Sequence, residues 1–341
     1  PHSAGASPGP ACYDQGGTQP TLTDANLVLG LIASETFLGG RLALNRLRSI
    51  KALEEHVAGP LGLTAEEAAL AINALASARI AEGMRANTVR RGLDPREFTI
   101  FSFGGAGGLH AASVAQDLEI PRAIVPREAS VLSALGFLAA DVRHDYQRVV
   151  GKNLIDLKTE DLKIPFSEME QEGLVALGNE GFTSKQIRFT RIADCRYLRQ
   201  VYTIPVQVSA EDLLKEGDTL WMAEAFEKGY RALYRHTHDR NAIVVDSVRL
   251  VAYGTLPSLS LPKEELAGSD PVLAQRGTRQ VYYGSMVETP CFWFDDLKPG
   301  MKLTGPALVD SESTTVALPE QYGAVIDSYG SLVITPLEKL S

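Results

Sequence analysis

Apolar positions recur at helical spacing through most of residues 21–146, and short apolar runs interrupt them. The longest helical stretch opens at Thr64-Ala65-Glu66-Glu67, where the Thr64 hydroxyl and the Glu67 carboxylate can each accept a backbone N–H. Gly92 follows the last helical residue, as is common at helix ends. This alternation of helices and short strands predicts an α/β region. The predicted elements are helices over about 21–31, 42–57, 64–91 and 131–140, and strands over 98–103 and 123–125.

From residue 147 onward the pattern changes to longer alternating stretches, which indicate an α+β region. Residues 186–192 and 197–204 are predicted to form an antiparallel pair, followed by a helix over 210–234 and a strand over 244–251. Beyond these elements the chain is first rich in proline and charge and then carries only short strand patterns. The predicted domains are 1–146, 147–256, a linker over 257–276, and a β-rich region over 277–341.

A glycine cluster joins the strand predicted at 98–103 to the helix that follows it. Its sequence is Gly104-Gly105-Ala106-Gly107-Gly108, and such a loop lets a ligand approach the backbone while the helix start presents free N–H groups. The spacing matches neither G-x-G-x-x-G nor the P-loop pattern, which excludes the dinucleotide and Walker-type motifs. The loop therefore predicts a nucleotide site of another kind, and the alternative is a tight turn without a ligand.

Composition narrows the class of partner. The chain has 341 residues, 45% of them hydrophobic, and a formal net charge of -9, which argues against nucleic-acid or anionic-membrane binding and favours a small-molecule substrate. Its three cysteines have no metal-ligand spacing and predict neither a metal site nor a disulfide framework, which favours a cytoplasmic protein. The start at Pro1, inside a proline- and glycine-rich stretch, suggests a piece of a longer protein.

Several ordered segments resemble the hydantoinase A / 5-oxoprolinase family, which also contains the ATP-dependent acetone and acetophenone carboxylase subunits. The match covers most of the chain. The segments that carry the resemblance are Ser3-Ala4-Gly5-Ala6-Ser7-Pro8-Gly9-Pro10-Ala11-Cys12-Tyr13, Gly16-Gly17-Thr18, Thr23-Asp24-Ala25-Asn26-Leu27-Val28-Leu29-Gly30, Phe103-Gly104-Gly105-Ala106-Gly107-Gly108-Leu109-His110-Ala111, Ser133-Ala134-Leu135-Gly136, Ala140-Asp141-Val142-Arg143-His144-Asp145-Tyr146, Gly305-Pro306-Ala307 and Ser313-Thr314-Thr315.

The resemblance implies an actin-like ATPase fold of the sugar kinase and chaperone class, of which residues 1–146 would be the C-terminal part. Gly104, Gly105, Ala106 and Gly107 would then contact the adenosine side of ATP. The D-x-G-G-T hairpins that hold phosphate and Mg²⁺ in such folds precede the segment with which this chain opens. Gly16-Gly17-Thr18 follows no strand and is interpreted as structural. The resemblance thus implies that an N-terminal half, or an equivalent chain, supplies most ligands of phosphate and Mg²⁺.

Family chemistry uses ATP to activate an inert oxygen. The resemblance implies phosphorylation of a cyclic amide carbonyl for ring-opening hydrolysis, together with a hydantoinase B-type subunit. One alternative is a biotin-independent ketone carboxylase, in which an enol and bicarbonate are phosphorylated and joined. Another is a non-catalytic scaffold that docks the active subunits.

Two residues near these motifs are candidates for catalysis. His110 follows the glycine loop by one helical turn, where a ring nitrogen could reach a phosphate or substrate oxygen or could bond a nearby carbonyl. Asp24 is predicted either to cap its helix or to act as an acceptor near an interdomain cleft, and Asn26 shares this ambiguity.

Other polar residues favour structural roles. The charged residues Asp141, Arg143, His144 and Asp145 follow an apolar helix and are expected to fix a domain joint through paired charges. His236 and His238, with Asp239 beside them, have no third metal ligand near in sequence, and Cys12 is expected to be a buried packing residue.

The sequence departs from the family pattern at two places. Ser7 stands where an aspartate is usual, and Arg127-Glu128-Ala129-Ser130 replaces a stretch that commonly carries histidine and glycine. The second departure is expected to lie close to the nucleotide loop, which makes the substrate open to divergence.

Overall fold

The computed structural model describes residues 3–214 and 220–340 and divides the chain into two compact units. Unit 1 combines residues 1–135 with 260–341, and unit 2 comprises residues 136–259. The helices are α1 Leu22–Val28, α2 Arg46–Leu53, α3 Gly59–Leu61, α4 Ala65–Thr88, α5 Gly107–Asp117, α6 Leu132–Ala139, α7 Thr159–Asn179 and α8 Leu220–Tyr234. The strands are β1 Ile100–Phe101, β2 Ala123–Val125, β3 Val142–Asn153, β4 Ile187–Tyr197, β5 Ile204–Val208, β6 Ile243–Gly254, β7 Gln275–Tyr282, β8 Met286–Trp293, β9 Lys302–Thr304, β10 Ala307–Asp310, β11 Thr315–Leu318, β12 Tyr322–Ile326 and β13 Leu332–Pro336.

Unit 1 contains two sheets. The first has the strand order β1-β2-β13-β12-β9, with β1 and β2 parallel and β13 antiparallel to β2, so that Ala123 lies opposite both Ile100 and Ile334. The second has the order β11-β10-β8-β7, in which β10 runs parallel to β8 and antiparallel to β11. Apolar side chains from both sheets and from α5 form one core cluster that includes Phe294 and Leu332. Strands from both ends of the chain therefore share one core.

The helices of unit 1 follow the sequence pattern closely. The Thr64 side chain accepts the Glu67 N–H at 3.2 Å and the Glu67 carboxylate accepts the Thr64 N–H at 2.8 Å, which confirms the predicted capping box of α4. After α4 a short 3-10 turn ends at Gly92, whose φ of +74° suits glycine. α2 continues through a π-helical segment into α3, a region predicted as a single helix over 42–57.

Unit 2 is an antiparallel sheet, β3-β6-β4-β5, with α7 and α8 packed against it. Strand residues facing the helices are apolar, and they enclose Phe166 of α7 and Phe226 of α8, which are both completely buried. β4 pairs antiparallel with β5 on one side and with β6 on the other, and Ala193 lies opposite Val206 of β5 and Val248 of β6. Burial alternates residue by residue along most of β3 and along β5, whereas the central strand β6 is buried over most of its length.

Three predicted elements differ from the structure. For the antiparallel pair predicted over 186–192 and 197–204, the first strand is confirmed within β4, whereas the second is wrong, because the antiparallel partner β5 begins only at Ile204. The strand predicted over 98–103 pairs only at Ile100 and Phe101. The helix predicted over 210–234 is confirmed from Leu220, a 3-10 turn covers Asp212–Leu214, and residues 215–219 lie outside the described residues.

The four-part division of the chain stays a prediction. In the structure the region predicted as a separate β-rich domain belongs to the same compact unit as residues 1–135, and β3 runs through residue 146. The stretch 257–276 contains a 3-10 turn at Val272–Ala274 and, at its end, the first two residues of β7. Within the described residues, no helix has both the length and the apolar character needed to cross a bilayer.

Candidate functional site

The glycine loop lies at the C-terminal end of β1 and leads into α5. Ser102 donates its N–H to the carbonyl of Ile124 at 2.8 Å, which extends the β1–β2 pairing, and Gly104 donates its N–H to the carbonyl of Ala129 at 2.7 Å. Ala106 is the N-cap of α5 and provides no side-chain hydrogen bond to the helix start. The predicted order of strand, glycine loop and helix is thus confirmed, with a shorter strand.

Most of the glycines are required by contacts within the chain itself. Gly104 has a φ of +87°, a conformation that favours glycine. A Cβ at Gly107 would lie 2.7 Å from Ser102 Oγ, and one at Gly108 would lie 2.7 Å from the carbonyl oxygen of Thr315. The glycine content alone is therefore explained without a ligand, so the argument for binding depends on the space beside the loop.

The turn between β10 and β11 holds the loop in place. Thr314 Oγ1 donates to the carbonyl of Gly105 at 3.1 Å, and Ser313 Oγ donates to Ser130 Oγ at 2.6 Å. Ser130 belongs to the stretch that departs from the family pattern, and its neighbour Ala129 accepts from Gly104, so that stretch does lie beside the loop as predicted. Sequence reasoning assigned no site role to residues 311–315, because they lie about two hundred positions from the loop they support.

A cavity of about 250 Å³ opens beside the loop, between α1, the start of α5 and the β10–β11 turn. Of the four residues predicted to contact the nucleotide, Gly105 and Ala106 line this cavity, whereas Gly104 and Gly107 are not part of its wall. Its apolar side includes Ile32, Phe37 and Leu109, and its polar side is formed by residues 310–315.

Charge in the cavity wall is acidic. Asp310 and Glu312 line it, and no lysine or arginine among the described residues does. Asp310 accepts from Arg279 at 2.6 Å and from Thr315 Oγ1 at 3.0 Å, so its charge is partly compensated. The wall suits an uncharged, partly aromatic group with hydroxyls better than a phosphate chain.

An adjoining cavity of about 760 Å³ shares Asp310 and Glu312 with the first and carries arginines. Arg279 is bonded to Asp310 and Arg276 to the carboxylate of Asp296 at 2.9 Å. Arg46, the third arginine of this wall, lies 3.4 Å from the Glu66 carboxylate. Because all three guanidinium groups have carboxylate partners within the chain, this cavity offers little uncompensated positive charge for a polyphosphate.

Asp24 is completely buried and lies outside the cavity wall. Its carboxylate accepts the N–H groups of Ala11, Cys12 and Thr21 at 2.8–3.1 Å and the hydroxyls of Thr21 and Ser49 at 2.7 and 2.6 Å. Burial acts to raise the pKa of Asp24, but the hydrogen bonds from Ser49, Thr21 and Cys12 outweigh it and hold the pKa below its ordinary value. Thr21 is the N-cap of α1 and Asp24 is its third residue, so the predicted N-cap at Asp24 is corrected to a capping box.

His110 is buried, with 4% of its surface exposed. Its Nδ1 contacts Ser77 Oγ at 2.9 Å, while its Nε2 is sealed from solvent and has no hydrogen-bond partner. Burial lowers the pKa of His110, so the ring is neutral at pH 7. His110 lies behind the wall of the cavity and does not line it.

Asn26 lines the cavity and is 2% exposed. Its Oδ1 accepts a hydrogen bond from Asn73 Nδ2 at 2.7 Å. Of the polar candidates from the sequence, Asn26 is therefore the one that the structure places in the cavity wall, whereas Asp24 and His110 lie in separate buried hydrogen-bond networks.

The charged residues at the start of β3 make contacts within unit 2. Arg143 pairs with Asp145 at 2.6 Å, His144 contacts Glu180 at 3.0 Å, and Asp141 accepts from Arg188 at 2.9 Å. These are exposed or half-exposed pairs, which contribute little to stability individually. Their expected role at a domain joint stays a prediction.

The remaining candidates have structural surroundings. His236 Nδ1 contacts the carbonyl of Tyr234 at 2.8 Å, and the His236 and His238 rings meet edge to face at 5.0 Å. In residues 3–214 and 220–340, no group of three or more His, Cys, Asp or Glu side chains could hold a metal.

Cys12 is completely buried, and burial raises the pKa of its thiol to about 12, which makes it a poor nucleophile. Gly17 packs closely against the Gly9 carbonyl, and Ser7 is exposed.

Comparison with known proteins gives matches over nearly the whole chain. The family model for hydantoinase/oxoprolinase matches residues 1–146, and that for the hydantoinase/oxoprolinase C-terminal domain matches residues 153–334. An uncharacterized protein of Methanocaldococcus jannaschii is 35% identical over 98% of this chain and 47% of its own length. Caprolactamase subunit alpha of Pseudomonas jessenii is 29% identical over 98% of this chain and 49% of its own length.

A solved structure of acetone carboxylase in its nucleotide-free state superposes with a TM-score of 0.81 at 25% identity. The superposition covers 96% of this chain and 48% of that structure's chain. This chain thus spans about half the length of each of these three relatives.

Proposed function

Because the chain belongs to the hydantoinase/oxoprolinase family, we propose that it supplies the nucleoside-binding wall of an ATP site in an enzyme that opens a cyclic amide. In this proposal the amide oxygen takes the γ-phosphoryl group of ATP, and ADP leaves. Water then adds to the activated carbon, the ring C–N bond breaks with a proton passing to nitrogen, and inorganic phosphate and the ring-opened acid are released. The phosphate turns a poor leaving group into a good one.

The observation that carries the proposal is the cavity beside the glycine loop. Gly105 and Ala106 form one edge of it, aromatic and aliphatic side chains form another, and no cationic side chain of the described residues enters it. A base and ribose match this wall, whereas a triphosphate would face the carboxylates of Asp310 and Glu312. The placement supports a site for the adenosine end of ATP.

Phosphate and Mg²⁺ are assigned to another part of the enzyme. The described residues contain no cluster of side chains that fits a metal, so no step involving Mg²⁺ is derived for this chain. We propose that the actin-like ATPase site is completed by the N-terminal half of a hydantoinase A-type subunit or an equivalent chain. Phosphoryl transfer depends mainly on positioning and charge stabilisation, and an anchored nucleoside would position the γ-phosphate for attack.

The second candidate function is ATP-dependent carboxylation of a ketone. The TM-score of 0.81 with acetone carboxylase favours it as a specific observation. Both reactions need ATP, and they differ in whether turnover requires bicarbonate or releases a ring-opened acid without it. A hydantoinase B-type subunit is the proposed partner in the first case, and a non-catalytic scaffold role stays the third candidate.

Isothermal titration with ATP and Mg²⁺ tests the proposal. The chain is titrated alone and together with the polypeptide that supplies the preceding half, and heat of binding is expected in the combination. Ala106→Leu, which fills the cavity, is expected to abolish that heat, whereas Ala210→Leu on the exposed surface of unit 2 is expected to leave it unchanged. Absence of binding in the combination, with both pieces folded and associated, would overturn the ATP proposal and favour the scaffold.

A further inference from the structure

The Asn26 side chain carries an inference about how the cavity recognises its ligand. We infer that Asn26 is a specificity-determining residue, which donates an amide N–H to a hydrogen-bond acceptor of the nucleoside. The acceptor is a ring nitrogen of the base or a ribose oxygen. This inference rests on the proposed function, because it assumes that a nucleoside occupies the cavity.

The hydrogen bond from Asn73 sets the direction of the Asn26 side-chain amide. Asn26 is 98% buried, and its Oδ1 is occupied by the Nδ2 of Asn73 at 2.7 Å. The remaining group of the amide is Nδ2, a donor with two hydrogens. With the carbonyl end bonded to α4, the amide presents its donor end elsewhere.

The donor end of the Asn26 amide lies toward the cavity. Among the described residues, the sealed side-chain polar atoms without a partner are His110 Nε2 and Arg127 Nε. Asn26 Nδ2 makes no hydrogen bond to the described residues, yet it is not one of these sealed atoms. Because Asn26 lines the cavity beside the glycine loop, the small accessible part of its amide faces that cavity.

Residue Asn73 of α4 holds the Asn26 amide in place. Ser77 Oγ donates to the backbone carbonyl of Asn73 at 3.2 Å, and it also contacts His110 Nδ1 at 2.9 Å. Since the single hydroxyl proton is directed to Asn73, His110 carries its proton on Nδ1 and donates to Ser77. The Asn26–Asn73 bond joins α1 to α4, and the separate Ser77–His110 contact joins α4 to α5.

The hydrogen bond from Asn73 fixes the Asn26 amide before a ligand enters, and preorganised donors discriminate between ligands more strongly than mobile ones. His110 is not part of this side-chain pair, because Ser77 reaches the backbone of Asn73 and not its amide.

The β10–β11 turn offers few other hydrogen-bond donors to a ligand. Thr314 Oγ1 donates to Gly105, Ser313 Oγ to Ser130, and Ser311 Oγ to the Thr314 carbonyl. The hydroxyl protons of this turn are therefore already used within the protein. An acceptor on the ligand loses its bond to water on entry, and the Asn26 amide replaces it.

The test is a thermodynamic cycle measured by isothermal titration on the chain combined with its preceding half. Wild type, Asn26→Ala and Asn26→Asp are each titrated with ATP and with analogues that lack one acceptor: 1-deaza-, 3-deaza- and 7-deaza-ATP and 2′-deoxy-ATP. Asn26→Asp keeps an acceptor for Asn73 but removes the donor, and Asn87→Asp on the exposed face of α4 is the matched control. Thermal unfolding of each variant verifies that it folds.

We expect both Asn26 variants to bind ATP about tenfold more weakly, or worse, and the control to bind it as wild type does. One analogue is expected to bind wild type about tenfold more weakly but to bind Asn26→Ala with less than a twofold difference from ATP. That analogue identifies base or ribose as the source of the acceptor.

Two outcomes separate the inference from the proposed function. If wild type binds ATP and Ala106→Leu abolishes binding, but the Asn26 variants match wild type or no analogue couples to Asn26, the inference is wrong and the proposed function stands. If wild type binds no ATP in the combination, the proposed function fails, and the inference with it.

Discussion

Five hydrogen-bond donors converge on the buried carboxylate of Asp24 and connect three separate segments of unit 1. Two backbone N–H groups come from the turn at Ala11–Tyr13, two donors come from Thr21, and the fifth is the hydroxyl of Ser49 on α2. A buried carboxylate with this many donors is held in its charged form, and removing it leaves each donor without a partner. At this scale Asp24 stabilises the fold around α1, and its predicted catalytic role stays a prediction.

Asp24→Ala is expected to lower the free energy of unfolding by about 3 kcal/mol or more, because several buried donors lose their acceptor at once. Asp24→Asn keeps the shape and one acceptor oxygen, and it is expected to cost less. Urea denaturation at pH 7 measures both changes. A loss below about 0.5 kcal/mol for the alanine variant would contradict the assignment.

The same carboxylate predicts how stability depends on pH. Its pKa is lowered on folding, so the folded state binds the proton less well than the unfolded state. The stabilisation from the charged form is complete above the unfolded pKa, about 3.9, and is lost as pH falls through the folded value. The difference in unfolding free energy between wild type and Asp24→Asn is therefore expected to shrink between pH 5 and pH 2. A constant difference across that range would contradict the lowered pKa.

At the scale of elements, local signals predicted the helices well and the strands less well. The capping box at Thr64 predicted the start of α4, and Gly92 predicted the end of the 3-10 turn that continues it. In contrast, the chain turns after β4 at Arg199, whose φ is +73°, and no glycine, asparagine or proline marks that turn. Val201 and Tyr202, which look like strand residues, are exposed. The second strand was predicted too early in the chain because the turn has no local sequence signal.

The site was predictable only in part for a related reason. The strand, the glycine loop and the helix are contiguous, so the sequence predicted them together. The cavity also needs α1 and the turn over 311–315, which are distant in sequence and carry no motif that points to the loop. Which of Asp24, Asn26 and His110 faces the cavity depends on helix orientation, and packing between α1, α4 and α5 sets that orientation.

A pair of glycines in helices tests the packing of α5. A Cβ at Gly108 would lie 2.7 Å from the Thr315 carbonyl oxygen and 2.8 Å from Val316 Cγ2, whereas a Cβ at Gly83 on α4 would meet no atom within 4 Å. Gly108→Ala is expected to cost about 1–3 kcal/mol through forced separation of α5 from β11. Gly83→Ala is expected to stabilise by about 0.5–1 kcal/mol, because alanine favours the helix.

Thermal unfolding compares the two variants directly. Equal effects of both substitutions would show that α5 tolerates a side chain against β11, which would contradict the close packing described for Gly108.

At the scale of the whole molecule, sequence order and spatial order differ within unit 1. β13 lies between β2 and β12 in the five-stranded sheet, so strands from the two ends of the chain are hydrogen-bonded neighbours. The side chain of Ile334 is 1% exposed and belongs to the same core cluster as Ala123 and Ala324. The stability of the region that carries the glycine loop is therefore shared with residues more than two hundred positions later.

Ile334→Ala is expected to lower the stability of unit 1 by about 2–5 kcal/mol, because it leaves a void in the shared core. Leu273→Ala is the matched control, since Leu273 is 92% exposed and its loss is expected to change stability by less than about 0.5 kcal/mol. Hydrogen exchange read at the amides of β2 and of α5 reports the effect where the glycine loop lies. Protection there that is unaffected by Ile334→Ala would contradict the shared core.

The strand order also has a consequence for biosynthesis. During translation the glycine loop and β2 are synthesised long before Thr314. Thr314 donates to Gly104 and Gly105 and is added 210 residues after Gly104. Until then the nascent chain has no β13 to pair with the edge of β2, and an unpaired strand edge invites association with other chains. Co-translational folding of unit 1 is thus deferred until synthesis is nearly complete for this region, and we expect slow, chaperone-sensitive maturation of the site.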